Sequence, residues 1–203
     1  MVISWLGEAG LRIQTKDAVL VIDPPAASTG MKPARSAADI VAISTNDQRD
    51  AKAVGGTPFL INSPGEYEVK NVFVYGLVLP SHQGFIHFRV EVEDLSLGHI
   101  ADLSQKLENG EVGLLEGVDI LCLPVGGKSV LDAEAAAALI SQIEPRIVIP
   151  IQYKIPKSTS GYLELAPFLK EIGAKNTDPQ QKFKVAKKDL PAEDTQVVVL
   201  AHE

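Results

Sequence analysis

Residues 118–151 read VDILCLPVGGKSVLDAEAAAALISQIEPRIVIPI, and this stretch decides the fold. It contains two apolar runs, 118–125 and 146–151, each suited to a strand that is covered on both faces. Between them lies the alanine-rich segment 132–143, in which Asp132 is placed to cap the first turn of a helix. Strand, helix and strand in this order predict a βαβ unit, whose two strands run parallel.

Short β-rich runs fill the part of the chain that precedes this unit. They are separated by turns in which proline lacks an amide donor and glycine permits a positive φ. The predicted strands before the unit are 2–6, 10–15, 18–22, 39–44, 58–62, 69–78 and 85–92. The elements predicted after it are a helix over 162–172 and strands at 182–186 and 195–201. Many strands with interspersed helices predict a layered α/β (α+β) sandwich, and residues 1–203 are expected to form a single domain.

The composition argues against several classes of protein. A net charge of −7 would repel a phosphate backbone, so nucleic-acid binding is disfavoured. No apolar run approaches the ~20 residues that a membrane-spanning helix needs, so no membrane association is expected. Residues 1–6 lack the basic and long apolar segments of a secretory signal, which favours a cytoplasmic location. The single cysteine, Cys122, lies in an apolar run and is interpreted as a core residue.

Five segments, spread over nearly the whole chain, resemble those of one superfamily. They are ISWLGEA at 3–9, VIDP at 21–24, PGEYEV at 64–69, LPVGG at 123–127 and IPIQY at 149–153. In this order they resemble the metallo-β-lactamase superfamily, and in it the small Zn-dependent hydrolases that include the ascorbate-6-phosphate lactonase type. The resemblance implies a four-layer αββα sandwich with a dinuclear metal site at one edge, ligated chiefly by an H-x-H-x-D-H loop.

The loop that should carry this motif departs from the family pattern. It is expected after the strand at 39–44, where the chain reads TNDQRD over residues 45–50. Thr45, Asp47 and Asp50 stand where the resemblance implies histidines, and Arg49 stands where it implies the aspartate. The H-x-H-x-D-H motif is therefore absent from this sequence.

The remaining family ligands are matched in part. The resemblance places the single histidine before the middle hairpin on His82 and the bridging aspartate on Asp102. It also implies histidines at two further positions, which Glu8 and Gln152 occupy. His87 and His202 are not expected to substitute as ligands, because one alternates with Phe88 along a strand and the other lies in the tail.

Two interpretations of the site follow. In one, Asp47, His82 and Asp102 hold one divalent cation, an oxygen-rich set suited to manganese or magnesium, with zinc as a further candidate. In the other, Arg49 points at the second metal position, pairs with Asp102 and Asp50, and replaces the ion. The second is favoured, because a buried carboxylate without metal or partner is costly.

The predicted function is that of a metallo-β-lactamase-fold protein with little or no hydrolase activity and no tightly bound metal cofactor. Its cleft would be formed by the replaced positions and would accept a small polar ligand or a partner. Those positions are Glu8, Thr45, Arg49, Asp50 and Gln152. One alternative is a mononuclear metal-dependent hydrolase of a lactone or phosphoester. Another is a subunit of an assembly with homologous active copies, and a homo-oligomer is considered as well. The segment GGKS at 126–129 lacks the spacing of a phosphate-binding P-loop and predicts a tight turn.

Overall fold

The structure is a computed structural model that describes residues 1–32, 35–45, 49–174 and 177–203, with the backbone alone described at Asn109. The strands are β1 Val2–Gly7, β2 Gly10–Gln14, β3 Val19–Ile22, β4 Ile40–Ala42, β5 Phe59–Ile61, β6 Gly65–Val69, β7 Val72–Leu77, β8 His87–Val92, β9 Leu95–His99, β10 Ile120–Pro124, β11 Ile147–Ile151, β12 Phe183–Lys184 and β13 Gln196–Val197. The α-helices in these residues are α1 Asn109–Val112, α2 Ala133–Ile143 and α3 Ala166–Glu171.

The strands form two sheets. One has the order β12-β1-β2-β3-β4-β5 and the other β13-β11-β10-β9-β8-β7-β6. The predicted βαβ unit is confirmed: β10 and β11 pair in parallel from Ile120 opposite Ile147, and α2 connects them. Asp132 caps α2 as predicted, because its Oδ1 accepts the Ala135 N–H at 2.9 Å. The two-sheet α/β sandwich is therefore built around the stretch that predicted it.

The main core is one continuous cluster that includes side chains of both sheets and of α2 and α3, and alternation along the strands of the first sheet decides which of their side chains enter it. On β3, Leu20 and Ile22 belong to this core, whereas Val21 belongs to a smaller cluster on the other face of the sheet. Residues around the short 3₁₀ turn Ala51–Ala53 pack on that smaller cluster. In the described residues this outer face is thus covered by irregular chain, while α2 and α3 pack together and bury their apolar side chains in the main core.

Several elements differ from the prediction, among them the short helix α1, which was not predicted. Strand β6 occupies Gly65–Val69, ahead of the strand predicted at 69–78, and a turn at Lys70 and Asn71, both with positive φ, separates it from β7. Strand β9 was not predicted, because the hairpin before it turns at Glu93 and Asp94, both with positive φ, without the Asn-Gly signal of such turns. The predicted helix 162–172 is shortened to α3.

The carboxyl ends of parallel strands from both sheets meet at one edge of the sandwich. Asp23 follows β3 directly, Ser44 lies just after β4, and Asp102 lies shortly after β9. Gln152 follows β11 directly. Ligands of α/β proteins commonly bind outside such strand ends, so this edge is where the candidate site is expected.

In the part of the chain that is described, no helix has the length and apolar character needed to cross a membrane. The cytoplasmic location and the single domain remain predictions.

Candidate functional site: an arginine-centred cleft

Arg49 is the centre of the buried polar network at this edge. Its side chain is 3% exposed, and its Nη2 lies 2.5 Å from Oδ2 of Asp102. Its Nε lies 3.3 Å from Oδ1 of Asp23, an ion pair without good hydrogen-bond geometry. The predicted pair between Arg49 and Asp102 is therefore confirmed.

The predicted pair between Arg49 and Asp50 is wrong. The Oδ1 atom of Asp50 accepts the backbone N–H of Ala53 at 3.2 Å and so caps the 3₁₀ turn Ala51–Ala53. Asp50 is committed to this local turn, and Asp23 supplies the second carboxylate instead.

Asp23 is held rigidly at the end of β3. It is fully buried with φ +48°, and its two oxygens accept the N–H and the hydroxyl of Ser44, each at 2.7 Å. Burial lowers the pKa of Arg49, but the negative charges of Asp23 and Asp102 outweigh burial and raise that pKa above its ordinary value. The guanidinium therefore stays charged and balances one of the two negative charges beside it, while hydrogen bonds from Ser44 stabilise Asp23 as well.

Gln152 fixes the other side of Asp102. Its Oε1 accepts the Asp102 N–H, and its Nε2 donates to Asp102 Oδ1, each at 2.7 Å. The same Nε2 lies 3.0 Å from the hydroxyl of Tyr162. Burial, together with the charges of Asp102 and Glu8, raises the pKa of Tyr162 to about 12, so this hydroxyl is neutral at physiological pH. Both carboxylate oxygens of Asp102 are thus engaged, one by Gln152 and one by Arg49.

Glu8 anchors a loop that lies over the site, residues 154–165, which we call the strap. Glu8 is 3% exposed, and its carboxylate accepts the hydroxyl of Ser158 and that of Ser160, the latter at 2.7 Å. The predicted helix began inside this segment, at Tyr162. Here the backbone instead pairs with neighbouring loops, since Leu163 N–H donates to Gly126 at 2.7 Å.

Three histidines lie buried beside this network. His82 Nδ1 is 3.0 Å from His87 Nε2, and the His82 ring stacks on Phe85 with centroids 4.3 Å apart. Burial lowers the pKa of His82, and it lowers that of His87 to about 3 with help from the neighbouring histidines. His99 is also fully buried with a lowered pKa caused first by burial; its Nε2 lies 2.8 Å from Ala9 O and its Nδ1 3.9 Å from Asp23 Oδ2.

A cleft of about 290 Å³ opens above these groups. Of the residues singled out in the sequence, Thr45, Arg49, His82 and Asp102 line it. Glu8 and Gln152 are buried behind the lining, and Asp50 lies at the 3₁₀ turn. Asp47 lies outside the described residues.

Sequence reasoning missed five of the nine residues that line the cleft. The missed residues are Phe85, Ser104, Ser129, Ser160 and Tyr162. The serines carry no motif of their own, but Ser104, Ser129 and the strap follow β9, β10 and β11 in turn. Their position after parallel strands was the signal that could have found them.

The donor groups at the site decide whether it can hold a metal. In the described part of the chain, no group of three histidine, cysteine or acidic side chains is arranged to hold an ion. At the position that the resemblance assigns to a second metal stand a guanidinium and an amide, both bonded to Asp102. A guanidinium has no lone pair for a metal, so the described residues at this position do not fit one.

Comparison with known proteins gives one family. A model of the beta-lactamase superfamily domain matches residues 2–152. A crystal structure of a protein from Thermotoga maritima, assigned to the zinc-dependent hydrolases of the metallo-β-lactamase superfamily, superposes with a TM-score of 0.84 and 25% identity, covering 99% of this chain and 100% of that one. The metallo hydrolase Igni18 of Ignicoccus hospitalis superposes with a TM-score of 0.65 and 14% identity, covering 91% of this chain and 98% of that one, which shows the fold alone.

A curated relative from Staphylothermus marinus, a UPF0173 metal-dependent hydrolase, is 33% identical over 61 residues. The match covers 30% of this chain and 27% of that relative. The chain thus spans about a quarter of the length of this relative.

Proposed function

This chain belongs to the metallo-β-lactamase superfamily of metal-dependent hydrolases, and we propose that its cleft binds a small polar ligand with hydrolysis lost or reduced. The single observation that carries the proposal is Arg49, 3% exposed and paired with both Asp23 and Asp102. In this proposal the guanidinium supplies the positive charge that a second metal ion would provide.

Electrostatics support a replacement of the ion by the arginine. A buried carboxylate without a partner costs several kcal/mol, so Asp23 and Asp102 need a cation. Arg49 meets this need without a cofactor, and its permanent charge would repel a divalent ion placed beside it.

The character of the cleft wall supports a small polar ligand. Serine and tyrosine hydroxyls donate and accept hydrogen bonds, and the stacked rings of His82 and Phe85 add an apolar surface. Pockets that bind small molecules commonly combine such a surface with a few placed polar groups.

One observation favours a second candidate function, a mononuclear hydrolase. His82 and Asp102 line the same cleft, and the Asp102 side chain is 19% exposed. With Asp47 they would be the residues that hold one divalent cation, which would polarise an ester or lactone carbonyl or lower the pKa of a bound water.

Metal content distinguishes the two candidates. We expect the purified protein, incubated with zinc, manganese and magnesium and then desalted, to retain well below one equivalent of metal by plasma mass spectrometry. The variant Arg49→Asp/Gln152→His should retain more zinc, because it removes the cation and adds an imidazole. The matched control Arg89→Asp/Gln181→His changes the same residue types at positions outside the cleft lining and should retain no more than the wild type. Near one equivalent of manganese in the wild type, lost in Asp102→Ala, would instead support the mononuclear hydrolase.

A further inference from the structure

A second pocket, of about 600 Å³, is lined largely by residues of the strap and adjoins the cleft. Tyr162 lines both spaces. Lys128, from the turn after β10, and Lys154 and Lys157, from the strap after β11, line the second pocket. We call it the lysine pocket. Its side chains come from the same strand ends as the cleft.

The charge of the lysine pocket opposes that of the molecule. The chain carries a net charge of −7, yet this pocket has three ammonium groups and one carboxylate, Glu164. Glu164 pairs with Lys154 at 2.6 Å. Within the described ranges, Lys128 and Lys157 form no ion pair, so their charges lack a protein partner. Like charges gathered in one pocket repel each other, and a bound anion would relieve that repulsion.

The backbone fixes Lys128 in this place. Lys128 has φ +58° and follows Gly127 at φ +63°, so the chain turns sharply after β10. Its Nζ lies 3.8 Å from the point that a Cβ on Gly161 would occupy, and the glycine leaves this space open. The same turn carries Ser129 into the cleft, so the position of the lysine is coupled to the cleft wall.

The walls between the lysines are largely apolar. Ile155, Pro156 and Leu163 line the pocket beside the ammonium groups. Low-polarity walls strengthen the attraction between a lysine and an anion relative to open water. All three lysines are themselves exposed, so an anion can reach their ammonium groups from solution, and it is the shared apolar wall that distinguishes this pocket.

We propose that the lysine pocket binds a small oxyanion, a phosphate or carboxylate group, and that this group belongs to the ligand of the adjoining cleft. The claim that the anionic group belongs to the ligand of the cleft rests on the proposed function. The ligand class is then a small polar acid, with its anionic group on Lys128 and Lys157 and the remainder beside Tyr162.

The test is a calorimetric titration of the full chain with inorganic phosphate and, in parallel, with citrate, at ionic strength matched with sodium chloride. Saturable binding is expected for the wild type, and the better of the two anions identifies the anionic group. In Lys128→Gln/Lys157→Gln, affinity should fall at least about tenfold, because two charge-assisted contacts are lost. The control Lys52→Gln/Lys188→Gln removes the same charge from two exposed lysines elsewhere and should bind as the wild type does.

Equal weakening in both double variants would mean that net charge alone attracts the anion, and it would overturn the inference. Absence of saturable binding to the wild type would overturn it as well. The result is independent of the metal measurement: a protein that holds zinc but binds phosphate at these lysines refutes the proposed function and leaves the lysine pocket standing. A metal-free protein that binds neither anion refutes the lysine pocket and leaves the proposed function standing.

Discussion

At the scale of single residues, the Arg49 guanidinium is the group on which the buried charges depend. We predict that Arg49→Met lowers the free energy of unfolding by about 3–5 kcal/mol, because the fully buried Asp23 and the largely buried Asp102 would both lose their cation. Urea denaturation monitored by circular dichroism measures this loss.

Arg89→Met provides the control for this change. Arg89 pairs with Glu91 at 2.9 Å, but both side chains are partly exposed, so the loss should be at most about 1 kcal/mol. If the two variants lost equal stability, the buried carboxylates would not need the guanidinium, and its role as a substitute cation would be refuted.

His87 should make stability depend on pH. Burial holds the pKa of His87 at about 3, whereas a histidine of the unfolded chain titrates near about 6.5. Below about pH 6.5 the unfolded chain binds a proton that the folded protein excludes, so stability is full above this pH and decreases as the pH falls toward 3. Between pH 7.5 and pH 5, this residue should cost about 2 kcal/mol.

The measurement is urea denaturation of the wild type and of His87→Gln across this pH range. The variant should show a shallower decrease by about the same amount, while His202→Gln, a change outside the buried cluster, should keep the slope of the wild type. Parallel pH profiles for the wild type and His87→Gln would rule out His87 as the titrating group.

The sequence predicted part of this site and missed the rest for a physical reason. The pair between Arg49 and Asp102 could be predicted because the family pattern places both residues at metal positions. Asp23 could not be predicted as the second partner, because Asp50 is nearer in sequence and was the obvious candidate. The structure uses the Asp50 carboxylate to cap the turn at Ala51–Ala53, so it does not pair with Arg49. The contact between His82 and His87 depends on where the chain turns between two strands, which no side-chain pattern encodes.

At the scale of elements, the strap is a part of the site that contains neither helix nor strand. Glu8 ties it down through two serine hydroxyls, so we predict that Glu8→Ala increases hydrogen exchange at the amides of Lys154, Thr159 and Leu163. Losing two hydrogen bonds to a charged group should raise the local opening constant at least about tenfold. Hydrogen exchange followed by mass spectrometry measures this.

Two further variants test whether the faster exchange comes from the loss of the Glu8 anchor or from the loss of any carboxylate. Ser158→Ala/Ser160→Ala should reproduce the faster exchange, whereas Glu68→Ala, which removes an exposed carboxylate from β6, should leave the strap unchanged. A strap that stays protected in Glu8→Ala is held by its backbone contacts alone.

Helices and strands were predicted correctly where several local sequence signals agree. The β10-α2-β11 unit combines two apolar runs, an alanine-rich helix and a capping aspartate, so all its signals agree. The segment 162–165 has helix-forming residues, but the pairing of Leu163 with Gly126 and of Tyr162 with Gln152 holds it in the strap. These are tertiary contacts, and they override the local preference of this segment for a helix.

At the scale of the whole molecule, the core between the sheets should determine global stability. Phe88 is fully buried in it, so Phe88→Ala should cost about 3–5 kcal/mol of unfolding free energy. Phe59 is 49% exposed on the edge strand β5, and Phe59→Ala should change stability by only about 0.5 kcal/mol. Urea denaturation of the two variants compares the same truncation inside and outside the core, and a similar loss in both would contradict this location of the core.

Arg49 is attached to the chain by covalent bonds, and this has a consequence for the whole molecule. An ion that neutralises buried acids is in exchange with its surroundings, so its occupancy follows its supply and a chelator can withdraw it. A guanidinium is present once for every polypeptide and cannot be diluted away. The ion pairs that Arg49 makes with Asp23 and Asp102 are therefore in place as soon as the chain folds, whatever the supply of zinc.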